Sequence, residues 1–152
     1  MLKRFIRYAV VSSLAAMAMP TLASTNESLR SFKSAYAFDE TVSRLEKGIK
    51  EKGMSIFTVI DHAGAARDAG LEMPATKVIV FGNPKAGTPL MKKHPVLALD
   101  LPLRVLVTQG SDQVNVVMHT YQSTFSQLNL PVEDGAPLGG AEKLVQSIVT
   151  AQ

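Results

Sequence analysis

The stretch Gly82-Asn83-Pro84-Lys85-Ala86-Gly87-Thr88 gathers groups able to hold an anion, directly after the apolar run Thr76 to Phe81. Its two glycines stand at the separation found in phosphate-binding loops, which aim backbone N–H groups at phosphate oxygens and place a Lys after the second Gly. Here Thr88 and Pro89 follow that glycine, and Pro84 and Pro89 each remove a backbone donor, so the pattern argues against a nucleotide site. What remains is contact with a small anion or carboxylate through Lys85 and the amides of Gly87 and Thr88, beside Asn83. The plainer expectation is a rigid turn packed on a sheet.

Other reactive side chains are scattered. Asp61 and His62 are neighbours at the end of an apolar run, and adjacent strand residues point to opposite faces, so Asp61 reads as the N-cap of a helix starting at His62. Asp100, ahead of Leu101-Pro102, reads as a brace that accepts from backbone amides, from Arg104 or from Lys85. These assignments make Asn83, Lys85, Gly87, Thr88, Asp100, Arg104 and His62 the candidate ligand-binding residues. Convergence of Lys85, Asp100 and His62 would instead build an enzyme of unrecognised type. The chain has no Cys, no Gly-x-Ser-x-Gly elbow and no carboxylate pair at telling spacing. His62, His94 and His119 lack ligand spacing, although Met91 with His94 and Met118 with His119 pair soft and borderline donors suited to a copper accessory protein. Met118 shares a face with Val114 and Val116 and is most simply core, so no metal site and no cofactor are assigned.

The elements that must position these residues follow from periodicity. Residues 29–36 form a weak first strand. Phe38, Val42, Leu45 and Ile49 fall on one helical face that Gly53 can terminate, with acidic residues at its start and lysines toward its end. Met54 to Ile60 reads as a central strand, His62 to Ala69 as a short helix closed by Gly70, and Thr76 to Phe81 as a further strand. Four of the eight prolines lie from Pro84 to Pro102, which predicts a shaped loop there. Leu103 to Thr108 and Val114 to Met118 form a hairpin around residues 109–113. A short helix over Ser123 to Leu130, a linker-like stretch from Glu133 to Gly140 and a C-terminal helix carrying Leu138, Ala141, Leu144, Val145, Ile148 and Val149 complete the chain. The order predicts an α+β domain, β-α-β4-α, with an antiparallel or mixed sheet and helices on one face. Apolar groups on both sides of the strands predict that a second copy covers the other face, so a homodimer is expected.

Residues 1–23 have a basic start, an apolar stretch from Tyr8 to Met19 and small residues before Ser24, the pattern of a secretory signal. About 12 apolar residues would rise roughly 18 Å as a helix, short of the ~30 Å hydrocarbon core, so no permanent membrane span is expected. Without Lys3, Arg4 and Arg7 the remaining 13 basic residues balance the 13 acidic ones, which removes the surplus that nucleic-acid binding needs. The expected domains are therefore a signal peptide over 1–23 and one α+β domain over 24–152, placed in the periplasm or secreted.

Three blocks carry a resemblance to a known family: Asp61-His62-Ala63-Gly64-Ala65-Ala66, then Val80 through Met91, then Leu99-Asp100-Leu101-Pro102-Leu103-Arg104-Val105-Leu106-Val107. In this order and spacing they resemble the domain of unknown function 302 family over roughly Ser34 to Pro131. The resemblance implies a TATA-binding-protein-like β-α-β4-α fold, a homodimer and no established activity. Ala37 departs from a Ser common at that position, and His119-Thr120-Tyr121-Gln122 from the family's Tyr-Asn-Asp-Pro. The function expected from residues and resemblance together is an exported binding or interaction module that holds a small or apolar ligand, or a segment of a protein partner, near residues 83–102.

Overall fold

The computed structural model describes residues 28–150. Five strands form one antiparallel sheet in the order β1-β5-β4-β3-β2: β1 Leu29–Lys33, β2 Ser55–Asp61, β3 Thr76–Gly82, β4 Leu103–Gln109 and β5 Val114–His119. Helices α1, Phe38–Glu51, and α5, Gly139–Val149, pack on one face, while α2, His62–Asp68, α3, Pro84–Lys93, and α4, Tyr121–Gln127, are shorter connections. The architecture is the α+β class predicted.

Alternation sorts the strands. Ile79 and Phe81 of β3, Val105 and Val107 of β4, and Val116 of β5 are fully buried against Leu45 and Ile49 of α1 and Val145 and Val149 of α5. The first helix stops as the sequence requires: Gly53 adopts φ +71°, and the Gly53 and Met54 amides return to Lys50 and Ile49 carbonyls. Asp61 caps α2, its Oδ1 accepting from the Gly64 amide at 2.7 Å. The Ala37 departure leaves α1 without a side-chain cap, and the buried Thr41 hydroxyl instead bonds back to the Ala37 carbonyl at 2.9 Å.

Three expectations are corrected. Residues 84–99 are not a loop: α3 is followed by a 3-10 segment, Pro95–Leu99. Pro84 sits in the first turn, where its missing N–H is an orphan anyway, and Asn83 caps the helix by accepting from the Lys85 amide at 2.9 Å. Pro89 costs one hydrogen bond inside the helix without ending it. Second, β2 is an edge strand rather than a central one. Its pairing slips between Ile56 and Thr58, and Phe57 between them is 54% exposed. Third, the linker-like stretch is a packed 3-10 segment, Val132–Leu138, in which a Cβ on Gly135 would meet the Tyr121 and Phe125 rings at 2.7 Å.

These irregular segments build a second apolar cluster at the sheet end carrying Gly82 and Leu103. Leu90, Leu97, Phe125 and Leu138 are its buried members. A polar clasp ties it together. Lys93 Nζ donates to both Asp134 oxygens, at 2.8 and 2.7 Å, and His94 Nε2 lies 2.8 Å from Oδ2. The Lys93 hydrogen bonds first, then the His94 bond, hold the Asp134 carboxyl below the usual carboxylate range.

Candidate functional site

Between the two apolar clusters lies a cleft of about 720 Å³, within the ~300–1,000 Å³ usual for small-molecule sites. Three walls meet there. On α3, Pro84, Gly87, Thr88 and Met91 fall at helical spacing on one side, so the proline and the glycine shape a recess that larger side chains would fill. On α5, Gly140, Leu144 and Ser147 form a second stripe, flanking the core stripe Ala141, Val145 and Val149. The floor comes from the sheet end: Met54 ahead of β2, Phe57 at the bulge, and Leu101 to Leu103 at the start of β4.

The bulge matters here because it places Phe57 beside Gly82, where a Cβ on the glycine would lie 3.8 Å from the phenylalanine ring. A Cβ on Gly87 would sit 3.9 Å from both Leu101 and Met91, ordinary van der Waals contact, so an added methyl is accommodated there without strain.

Of the residues expected to form a site, Asn83, Gly87 and Thr88 line the cleft. Lys85 points elsewhere, onto a shallow surface shared with Pro89, Lys92 and Lys93. Arg104 donates to the Leu99 carbonyl at 3.2 Å rather than to Asp100. The Asp100 side chain is exposed, with no side-chain hydrogen bond or ion pair among the described residues. His62 stands at the opposite end of the sheet, because β2 and β3 pair Ser55 with Gly82 and Asp61 with Lys77. Seven strand residues separate the two ends by roughly 20 Å, so Lys85, Asp100 and His62 do not converge. His94 Nε2 lies 2.8 Å from Asp134 Oδ2, and Met91 lines the cleft. Among the described residues no three His, Cys, Asp or Glu side chains gather as a metal-ligand set.

Sequence reasoning missed the residues that finish the cleft: Met54, Phe57, Leu144, and two lysines, Lys52 at the end of α1 and Lys143 on α5. The stripe Pro84, Gly87, Met91 was the available signal, hidden by the reading of prolines as loop markers. For Lys52 and Lys143, which are far apart in the chain, no local signal exists.

A single antiparallel sheet with two covering helices and an apolar cleft at one sheet end defines a small α+β domain. Residues 30–148 match the family described as domain of unknown function DUF302, and the chain belongs to that family. A solved structure of an uncharacterized conserved DUF302 protein from Bacillus stearothermophilus superposes with a TM-score of 0.74 at 16% identity, covering 80% of this chain and 98% of that one. It shares the fold. The chain is also 41% identical over 97 residues to a protein from Brucella suis named fluoride-specific ion channel FluC 1, covering 62% of this chain and 38% of the relative. A similarly named protein from Brucella abortus matches at the same identity, with 36% of its length covered. The chain thus spans well under half of these relatives.

Proposed function

We propose that this chain is an exported binding module whose cleft between α3, α5 and the sheet end holds a small, largely apolar ligand. The observation that carries the reading is the cleft's lining: Met54, Phe57, Met91, Leu101, Leu103 and Leu144 around a volume sized for one small molecule. Apolar surface left open between two packed clusters is stabilised when a ligand replaces its water. Export rests on the signal pattern of residues 1–23, which lie outside the described residues, and fractionation of cells expressing the full chain tests it. Recovery in the cytoplasm at full length overturns it.

Fluoride conduction belongs to the named Brucella relatives, which this chain covers by 38% and 36%. Among the described residues no helix is long and apolar enough to cross a membrane.

A homodimer is the second part of the proposal. Strand register lines up Ile60, Val78, Leu106 and Val117 as one row across the sheet, on the face opposite Ile79 and Val105, and Ile60 is 42% exposed. A second copy presenting the same row would cover it. Native mass spectrometry at micromolar concentration should report a dimer that Ile60→Lys reduces to monomer; a wild-type monomer rejects it.

Titration with Nile red, a neutral apolar dye, tests the cleft. Wild type should bind one dye per chain, and Gly87→Leu should abolish binding without loss of thermal stability, since its side chain grows from ordinary contact distance into the recess. Equal binding by both proteins rejects the site.

A further inference from the structure

Among the described residues, the charged ones lining the cleft are of one sign: Lys52 and Lys143 line it, and no Asp or Glu does. Both lysines are exposed, and neither makes an ion pair among the described residues. The carboxylates nearest in sequence are engaged elsewhere: Glu51 faces Lys47 at 3.8 Å, and Glu142 bonds the Tyr121 amide at 3.0 Å and Arg30 at 3.5 Å.

Local helix energetics explain only one of the two. Lys52 caps the C-terminal end of α1, where the helix dipole favours a cation, but Lys143 is the fifth residue of α5, nearer the end where it does not. Its neighbours at helical spacing, Gly139, Gly140, Gln146 and Ser147, are uncharged, so no partner along the helix holds it. The chain over 24–152 has no surplus of positive charge, so two unpaired lysines on one apolar recess are not a sample of a basic surface.

We propose that the ligand is an amphipathic anion, a single-chain carboxylate of the fatty-acid type. Its apolar chain lies along Met91, Leu101 and Leu144, and its carboxylate meets Lys52 and Lys143 at the rim. This rests on the apolar-ligand reading of the cleft and adds the head group. Two ammonium groups match the two oxygens of one carboxylate, and long lysine stems extend the apolar wall while their charged ends stay in water.

The test uses 11-(dansylamino)undecanoic acid and its methyl ester, which differ in charge at one end, in fluorescence titrations of the protein purified from cells expressing the full chain. The acid should bind about tenfold more tightly than the ester at low salt, the scale of two exposed ion pairs, and most of that preference should vanish in 1 M salt. Lys52→Met with Lys143→Met should bring the acid down to the ester's affinity and leave the ester unchanged, while Lys92→Met, outside the cleft, should change neither. Equal affinities for acid and ester in wild type, or an acid affinity untouched by the double variant, overturn the anionic head group but leave the apolar cleft standing. Binding of neither probe, with Nile red also unbound, overturns both.

Discussion

The two apolar clusters of this domain differ in what closes them. The larger, between the sheet and α1 with α5, is closed by alternation and helical periodicity, and residues such as Phe81, Val105 and Val145 are fully buried. The smaller, around Leu97 and Phe125, is closed by close approach of glycine to rings and by a polar clasp between α3 and the segment before α5. Where the two meet, neither fills the space, and the cleft is the result. A regular core packs to completion because every position repeats a pattern; two cores built by different rules leave a seam, and a seam lined by Met, Leu and small residues suits a ligand.

The largest break in this comparison is Phe81→Ala. The ring is fully buried in the main cluster, so truncation should cost about 3–5 kcal/mol, read as a fall in the denaturant midpoint, and should abolish binding through loss of the fold. In the second cluster Gly135→Ala should cost about 1–3 kcal/mol, because the new methyl would sit 2.7 Å from two aromatic rings. Gly140→Ala, with nothing within 4 Å of the added atom, is the control and should not destabilise. Equal effects from the two glycine variants would mean that the second cluster is loosely packed and does not differ from the seam.

Acid should act on the second cluster in particular. The folded-state pKa of Asp134 is lowered by its bonds from Lys93 and His94, so its contribution is complete above the unfolded-chain carboxylate value and is lost as pH falls through the folded one. Wild type should therefore lose more stability on acidification than Asp134→Asn, which has no carboxylate to protonate at that position. Parallel stability curves from neutral pH down would show that the clasp is not coupled to folding.

How much of this was legible follows the same division. Leu45, Ile49, Val105, Val116 and Val145 announce themselves by spacing, and the caps at Asp61, Gly53 and Gly70 by residue type. Three of the seven expected site residues, Asn83, Gly87 and Thr88, do line the cleft. They were found because glycine and proline mark unusual backbone, although the backbone they make is a capped helix and not a turn. Lys85 and Arg104 were named for their charge, which says nothing about direction: one faces away and the other reaches a carbonyl. His62 was tied to the loop only by shared chemistry, and antiparallel pairing sends it to the far end of the sheet. Leu144 looked like core because its spacing fits the buried stripe of α5, yet it turns to the flank beside Gly140. Edge position, as for β2, is a property of pairing partners and leaves no mark in a seven-residue strand read alone.

Gly87→Ala gives the smallest expected effect and separates the two readings of this segment most directly. A turn that needed glycine's positive φ would lose roughly 1 kcal/mol or more on gaining a Cβ. The helix over Pro84–Lys93 reverses the sign: Gly87 is its fourth residue, its amide already bonds the Asn83 carbonyl at 2.8 Å, and an added methyl meets Leu101 and Met91 at 3.9 Å. Replacing glycine by alanine inside a helix gains up to about 1 kcal/mol, so the variant should melt slightly above wild type. It should also take up part of the recess and weaken Nile red binding less than Gly87→Leu does. A lower melting temperature would return this segment to the rigid-turn reading and remove the helical wall on which the cleft depends; a higher one would set the ordinary contact at Gly87 against the tight ring contact at Gly135, some fifty residues further along the same chain.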